Sequence, residues 1–185
     1  MKQDNNTMKK LTLISALTAS VFTLSAHADL NNFYVEGGLG QAKIEAYGDN
    51  ETDTSFSLLG GYQVFTQGPL SVSTELGYNR YLSIDAQTPF GTATNTISSV
   101  SLGGKVGYEV MPKLQVFGRL AYESMQQEVE ILGATASATS EEFTYGIGAS
   151  YEVAKQLTVA TQYKFAKLDS ETDLSNMNVT LSYQF

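Results

Sequence analysis

The chain has no cysteine, and its single histidine, His27, lies near the start. Without thiols there is no disulfide and no thiolate metal site. Without an imidazole beyond residue 28, no histidine base is present to activate a serine or a water. Positive charge is scarce too, with 11 Lys and Arg against 19 Asp and Glu and a net charge of −8. Three of those basic residues and one acidic residue fall within the first 28, so the remainder is more acidic still. Nucleic-acid binding needs clustered Lys and Arg to neutralise phosphates, and such a chain is excluded from that class. Beyond residue 28 no stretch approaches the roughly 18 to 20 apolar residues of a membrane helix.

What is present begins with a leader. Lys9 and Lys10 precede a mostly apolar run from Leu11 to Leu24, and Ala26-His27-Ala28 has the small-x-small form of a cleavage site. Residues 1–28 are therefore expected to be a signal peptide, with one domain over 29–185.

That domain alternates. Side chains in a strand point to opposite faces in turn. Met177, Val179, Leu181, Tyr183 and Phe185 form one face of the last segment, and Asn176, Asn178, Thr180, Ser182 and Gln184 form the other. Seven earlier segments behave alike, predicting strands over Phe33–Ala42, Thr54–Phe65, Leu70–Tyr81, Thr96–Val110, Leu114–Ser124, Phe143–Val153 and Leu157–Lys167. Each is near the roughly 9 to 11 residues that cross a bilayer at a tilt. Thr66–Pro69, Met111–Lys113 and Ala154–Gln156 read as short turns. Lys43–Asp53, Leu82–Asn95, Met125–Glu142 and Leu168–Asp173 read as longer loops. Short turns at one end and long loops at the other predict an all-β, eight-stranded antiparallel up-and-down transmembrane barrel in the bacterial outer membrane. A soluble barrel would place its bulky apolar face inside. Here the face opposite the apolar one is Gly, Ser, Thr, Gln and Glu with a few cations, which suits a polar lumen.

Four motifs carry a resemblance. They are Phe33-Tyr34-Val35-Glu36-Gly37-Gly38-Leu39-Gly40, Leu59-Gly60-Gly61-Tyr62, Thr74-Glu75-Leu76-Gly77-Tyr78 and the terminal Tyr183-Gln184-Phe185. With them the chain resembles the OmpA-type transmembrane domain and the small OmpX/Ail group of barrels. The sequence stops at the barrel, so the peptidoglycan-binding domain of full-length OmpA proteins is not expected. The resemblance implies that Tyr183 and Phe185 are read by the barrel-insertion machinery. It also implies that an interior charge network exists.

Glu36, Glu75, Lys105, Arg119, Glu123 and Lys164 all fall on polar faces. Folding the fourth and fifth strands about Met111-Pro112-Lys113 sets Lys105 opposite Arg119. Two opposed cations repel, so Glu75, with Glu36 or Glu123, is expected as counter-ion. The interior of eight strands is only wide enough for side chains to fill. These six residues are therefore expected to plug the lumen, with an ion-selective channel as the alternative.

Other chemistry is thin. A Ser–Lys dyad on Lys105 or Lys164 is formally open, but no serine is singled out by spacing. Asp49, Glu51 and Asp53, and again Asp169, Glu171 and Asp173, could offer oxygen ligands to a hard cation, but read as solvated acidic loops. Pro89-Phe90-Gly91 and the small residues from Gly133 to Ser140 read as surface loops. The glycine clusters precede no helix and read as room for inward side chains rather than phosphate loops. The expectation is a monomeric, non-enzymatic protein of envelope integrity without cofactor or metal. Its partners would be outer-membrane lipid, lipopolysaccharide, the insertion machinery, and a surface ligand reached through the loops.

Overall fold

The computed structural model describes residues 32–46, 49–88, 91–131, 134–168 and 172–185. The leader, Pro89, Phe90, Asp169 and Glu171 lie outside them. Eight strands follow in order: β1 (Phe33–Ala46), β2 (Asp49–Gln67), β3 (Leu70–Thr88), β4 (Gly91–Met111), β5 (Leu114–Ile131), β6 (Ala134–Ala154), β7 (Leu157–Lys167) and β8 (Thr172–Gln184). Each pairs antiparallel with its neighbours, and β1 pairs with β8 from Tyr34↔Gln184 to Ala46↔Thr172, closing a barrel. The ring is tied at its lower rim, where Phe185 N donates to Phe33 O at 2.9 Å.

Alternation decides the faces. Val100, Leu102, Val106 and Tyr108 on β4, and Met177, Val179, Leu181 and Tyr183 on β8, project outward with about half of each side chain exposed to the surroundings. Such a continuous apolar exterior is unstable in water and stable in lipid. An arginine at Leu102 is therefore expected to cost about 2–4 kcal/mol in refolding titrations into lipid vesicles. The same change at exposed Gln126, farther up the wall, is expected to stay within about 0.5 kcal/mol. Equal costs at both would refute the assigned belt.

The lower connections are tight. Gly68, Lys113 and Gln156 each adopt a left-handed φ, at 57°, 70° and 72°. Beside these turns the ladders slip by one residue, between Gln63 and Phe65, Glu109 and Met111, and Glu152 and Ala154. The bulges let both Val64 and Phe65 point outward.

The upper connections correct the sequence reading. The predicted loops are mostly paired strand. Lys43↔Thr52 continues to Ala46↔Asp49, Leu82↔Ile97 to Thr88↔Gly91, and Met125↔Ser140 to Ile131↔Ala134. Polar small residues such as Thr135, Ser137 and Thr139 looked like loop by composition, yet a hairpin already in register extends its ladder without a further loop-closure penalty. β4 and β6 reach 21 residues each, about twice a bilayer crossing. On this upper side β2 leaves β3 after Phe56↔Arg80, and β6 meets β7 only from Thr144↔Ala166 downward. The upper halves of β3, β4, β5 and β6 thus form a four-stranded blade standing above the barrel.

Candidate functional site: the lumen

Inward side chains from all eight strands fill the barrel in layers. At the lower end is a vestibule of about 180 Å³, lined by Tyr34, Lys105, Gln115 and Phe117 among others. Tyr34 pairs directly with Gly61, and Phe117 with Gly148. A Cβ at either glycine would collide with the facing ring, so glycine is what lets both rings lie against the wall.

Above it, Arg119 is the hub. Its Nη1 and Nη2 donate to the two oxygens of Glu36, each at 2.9 Å. Nε lies 3.0 Å from Glu75 Oε2 and Nη2 donates to Glu75 Oε1 at 3.1 Å, while Nη1 also donates to Gln162. The planar fork of arginine can hold two carboxylates at once, which a lysine cannot. Tyr34 Oη donates to Glu75 as well. Lys105 stands 3.8 Å from Glu75 and over the Tyr34 ring, 4.5 Å from its centroid. Lys105 and Arg119 are directly paired in the ladder, and the two glutamates separate their charges.

Glu123 is not part of this hub. It sits four residues farther along β5, roughly 13 Å by strand rise, and is fully buried. Tyr81 Oη and Ser99 Oγ donate to its Oε2, both at 2.6 Å. Thr144 Oγ1 donates to Oε1 at 2.9 Å, and Lys164 Nζ donates there at 3.0 Å. Lys164 also donates to Asn79 Oδ1 at 3.3 Å and Tyr81 Oη at 3.2 Å. The six charged residues expected as one constellation are thus two separate networks. Between them lies a polar space of only about 30 Å³, the room of roughly one water.

A third layer was not legible in the sequence. Ala42, Tyr81, Leu82, Ile97, Met125, Ala166 and Leu174 pack together across the upper lumen, with Ile44 and Leu168 against them. The ladder slips at Tyr81, so Tyr81 and Leu82 both turn inward, at 1% and 2% exposure. The inner face is therefore not polar throughout. It ends in an apolar cap above the Glu123 network.

The remaining candidates do not gather into chemistry. Among the described residues no three carboxylates come together as metal ligands. Asp53 instead accepts from Ser83 N at 2.7 Å and Thr54 N at 2.6 Å, capping the point where β2 and β3 part. The partners described for Lys105 and Lys164 include no serine hydroxyl. Tyr183 and Phe185 face outward at the lower rim, their rings 5.3 Å apart edge to face.

The closed eight-stranded ring with an apolar exterior and a filled interior has counterparts among known proteins. The family model described as "Outer membrane protein beta-barrel domain" matches residues 14–185. The chain belongs to that family. Members of the outer-membrane β-barrel family lie in the bacterial outer membrane, and that is the location of this protein. Outer membrane protein P5 of Haemophilus influenzae is 24% identical over 182 residues, covering 85% of this chain. The chain spans about half of P5, 51% of its length. Among solved structures, Neisserial surface protein A superposes with a TM-score of 0.67 at 12% identity, covering 83% of this chain and 97% of that one. Ail of Yersinia pestis, in complex with the heparin analogue sucrose octasulfate, gives 0.65 at 14% identity, with the same coverage. At these identities the likeness establishes the barrel fold, which by itself hosts many functions.

Proposed function

We propose that this protein is a sealed, non-enzymatic strut of the outer membrane that serves envelope integrity and holds an extracellular sheet for surface interaction. The stacked lumen carries this reading. Two charge networks and an apolar cap lie in series, and the space described between the networks is water-sized. A pore needs a continuous wet path, whereas a strut needs the rigid filling that paired buried charges provide. The absence of histidine beyond residue 28 supports a non-enzymatic role. Tyr183 and Phe185, outward at the closing strand, suit recognition by the insertion machinery, with lipid and lipopolysaccharide as the surrounding partners of a monomer.

The wild-type protein in planar bilayers is expected to show no steady conductance. A steady, ion-selective current would overturn the strut in favour of a narrow channel gated at Glu75, which lies between Lys105 and Arg119.

A further inference from the structure

The lower vestibule is a cavity with a cation at its head. It holds about 180 Å³, the share of about six waters, and lies on the side of the short turns, which faces the periplasm. Lys105 lines it, whereas Arg119 and Lys164 line the small space above. The Lys105 ammonium therefore points down into the vestibule, 4.5 Å from the centre of the Tyr34 ring and 5.7 Å from that of Phe117. It is the poorly paired cation of the lumen. Arg119 and Lys164 donate to carboxylates at 2.9 and 3.0 Å. Glu75 is the one ion-pair partner of Lys105 among the described residues, and at 3.8 Å it is beyond hydrogen-bond length. Its oxygens are already engaged by Arg119 and Tyr34. Ring faces attract an ammonium, but they do not replace the acceptors that its three N–H groups lose with water.

The mouth leans to the opposite sign. Its charged lining is Glu109, Glu152 and Lys113, two acids to one base. Lys155, on the next turn, is exposed and outside that lining. Glu36 borders the head, with both oxygens held by Arg119. Glu109 is four residues below Lys105 on β4, roughly 13 Å by strand rise. Ser73, paired with Lys105 in the ladder, and Ser150, Thr158 and Ser182 put hydroxyls on the wall. We infer that the vestibule is a dead-end binding site for a short zwitterionic peptide that enters carboxylate first. The carboxylate gives Lys105 the acceptors that Glu75 does not. The peptide amides meet the hydroxyl wall, and the trailing ammonium lies beside Glu109 and Glu152. Three extended residues span about 10 Å, and the reach of the lysine and glutamate side chains covers the rest. The order of charges selects the ligand. A free dianion is repelled at the mouth, and a free cation is repelled at the head. The Arg119 hub closes the vestibule above, so the site binds without conducting. In this the inference rests on the sealed strut.

The test uses the protein in lipid nanodiscs, which leave both ends of the barrel open to solvent. The probes are triglycine, its N-acetyl form, its C-terminal amide and inorganic phosphate. Binding is followed by amide shifts during titration. Triglycine is expected to bind, with shifts gathered around Lys105, Phe117 and Ser150. The amide and phosphate are expected to bind at least tenfold more weakly, and the acetylated peptide about threefold. Lys105→Met removes one of two opposed cations, so the barrel is expected to keep its folded gel mobility. It is expected to weaken triglycine binding more than tenfold, the loss of a charge-assisted hydrogen bond. Glu109→Gln with Glu152→Gln tests the same site without touching the lumen networks. It is expected to bring triglycine down to the affinity of the acetylated peptide. Equal binding of the amide would overturn the carboxylate seat at Lys105, and equal binding of the acetylated peptide would overturn the role of the mouth. Phosphate bound as tightly as triglycine would overturn the choice of a peptide. If no probe shifts the vestibule while bilayers stay silent, this inference fails and the sealed strut stands. A conducting wild type would instead refute the strut itself.

Discussion

Replacing Arg119 with alanine is expected to destabilise the barrel by about 3–5 kcal/mol, the range for removing one partner from a buried ionic cluster. The guanidinium is buried, bidentate to Glu36 and also bonded to Glu75. Its loss leaves two buried carboxylates close together, with Lys105, 3.8 Å from Glu75, as the remaining cation. Glu36 borders the lower vestibule and both carboxylates border the water-sized space above, so hydration recovers only part of the loss. Urea-driven unfolding in lipid vesicles measures the loss. Adding Glu36→Gln and Glu75→Gln to the Arg119 variant is expected to recover most of it, because the orphaned charges are then gone. A loss below about 1 kcal/mol, typical of a solvated pair, would show that the hub is open to water. The variant is expected to remain silent in bilayers, since the Glu123 network and the apolar cap still close the path above.

Replacing Glu123 with alanine is expected to cost a similar amount, about 3–5 kcal/mol. This carboxylate is fully buried and accepts four hydrogen bonds, from Tyr81, Ser99, Thr144 and Lys164. Without it the Lys164 ammonium is left beside Asn79 and Tyr81 with no counter-ion among the described residues. Pairing the change with Lys164→Met is expected to restore much of the stability, as apolar replacements of buried ion pairs commonly do. The two networks share no residue, so the Arg119 and Glu123 losses should add within about 0.5 kcal/mol in a double-mutant cycle. A coupling of more than about 1 kcal/mol would mean that the lumen behaves as one cluster after all.

The periodicity of the chain determined most of the wall. A period of two is a local property, so the eight strands, their apolar rows and the inward direction of all six charged residues were legible from neighbouring positions. So was the pairing of Lys105 with Arg119, because folding about Met111-Pro112-Lys113 gives the same register as the observed two-residue turn at Pro112 and Lys113 combined with the one-residue slip beside it. Which charges meet across the ring was not legible. Arg119 reaches Glu36 over 83 positions and Lys164 reaches Glu123 over 41, and the height at which distant strands face one another follows from closure and stagger of the whole barrel. The apolar cap was hidden for a second reason. A one-residue slip at Tyr81 reverses which later side chains face inward, and bulges leave little trace in composition. The blade was hidden for a third. Ala and Ser, which alternate with Thr from Ala134 to Ser140, do not favour strand by themselves, and the continuing ladder of β5 and β6 holds the segment extended.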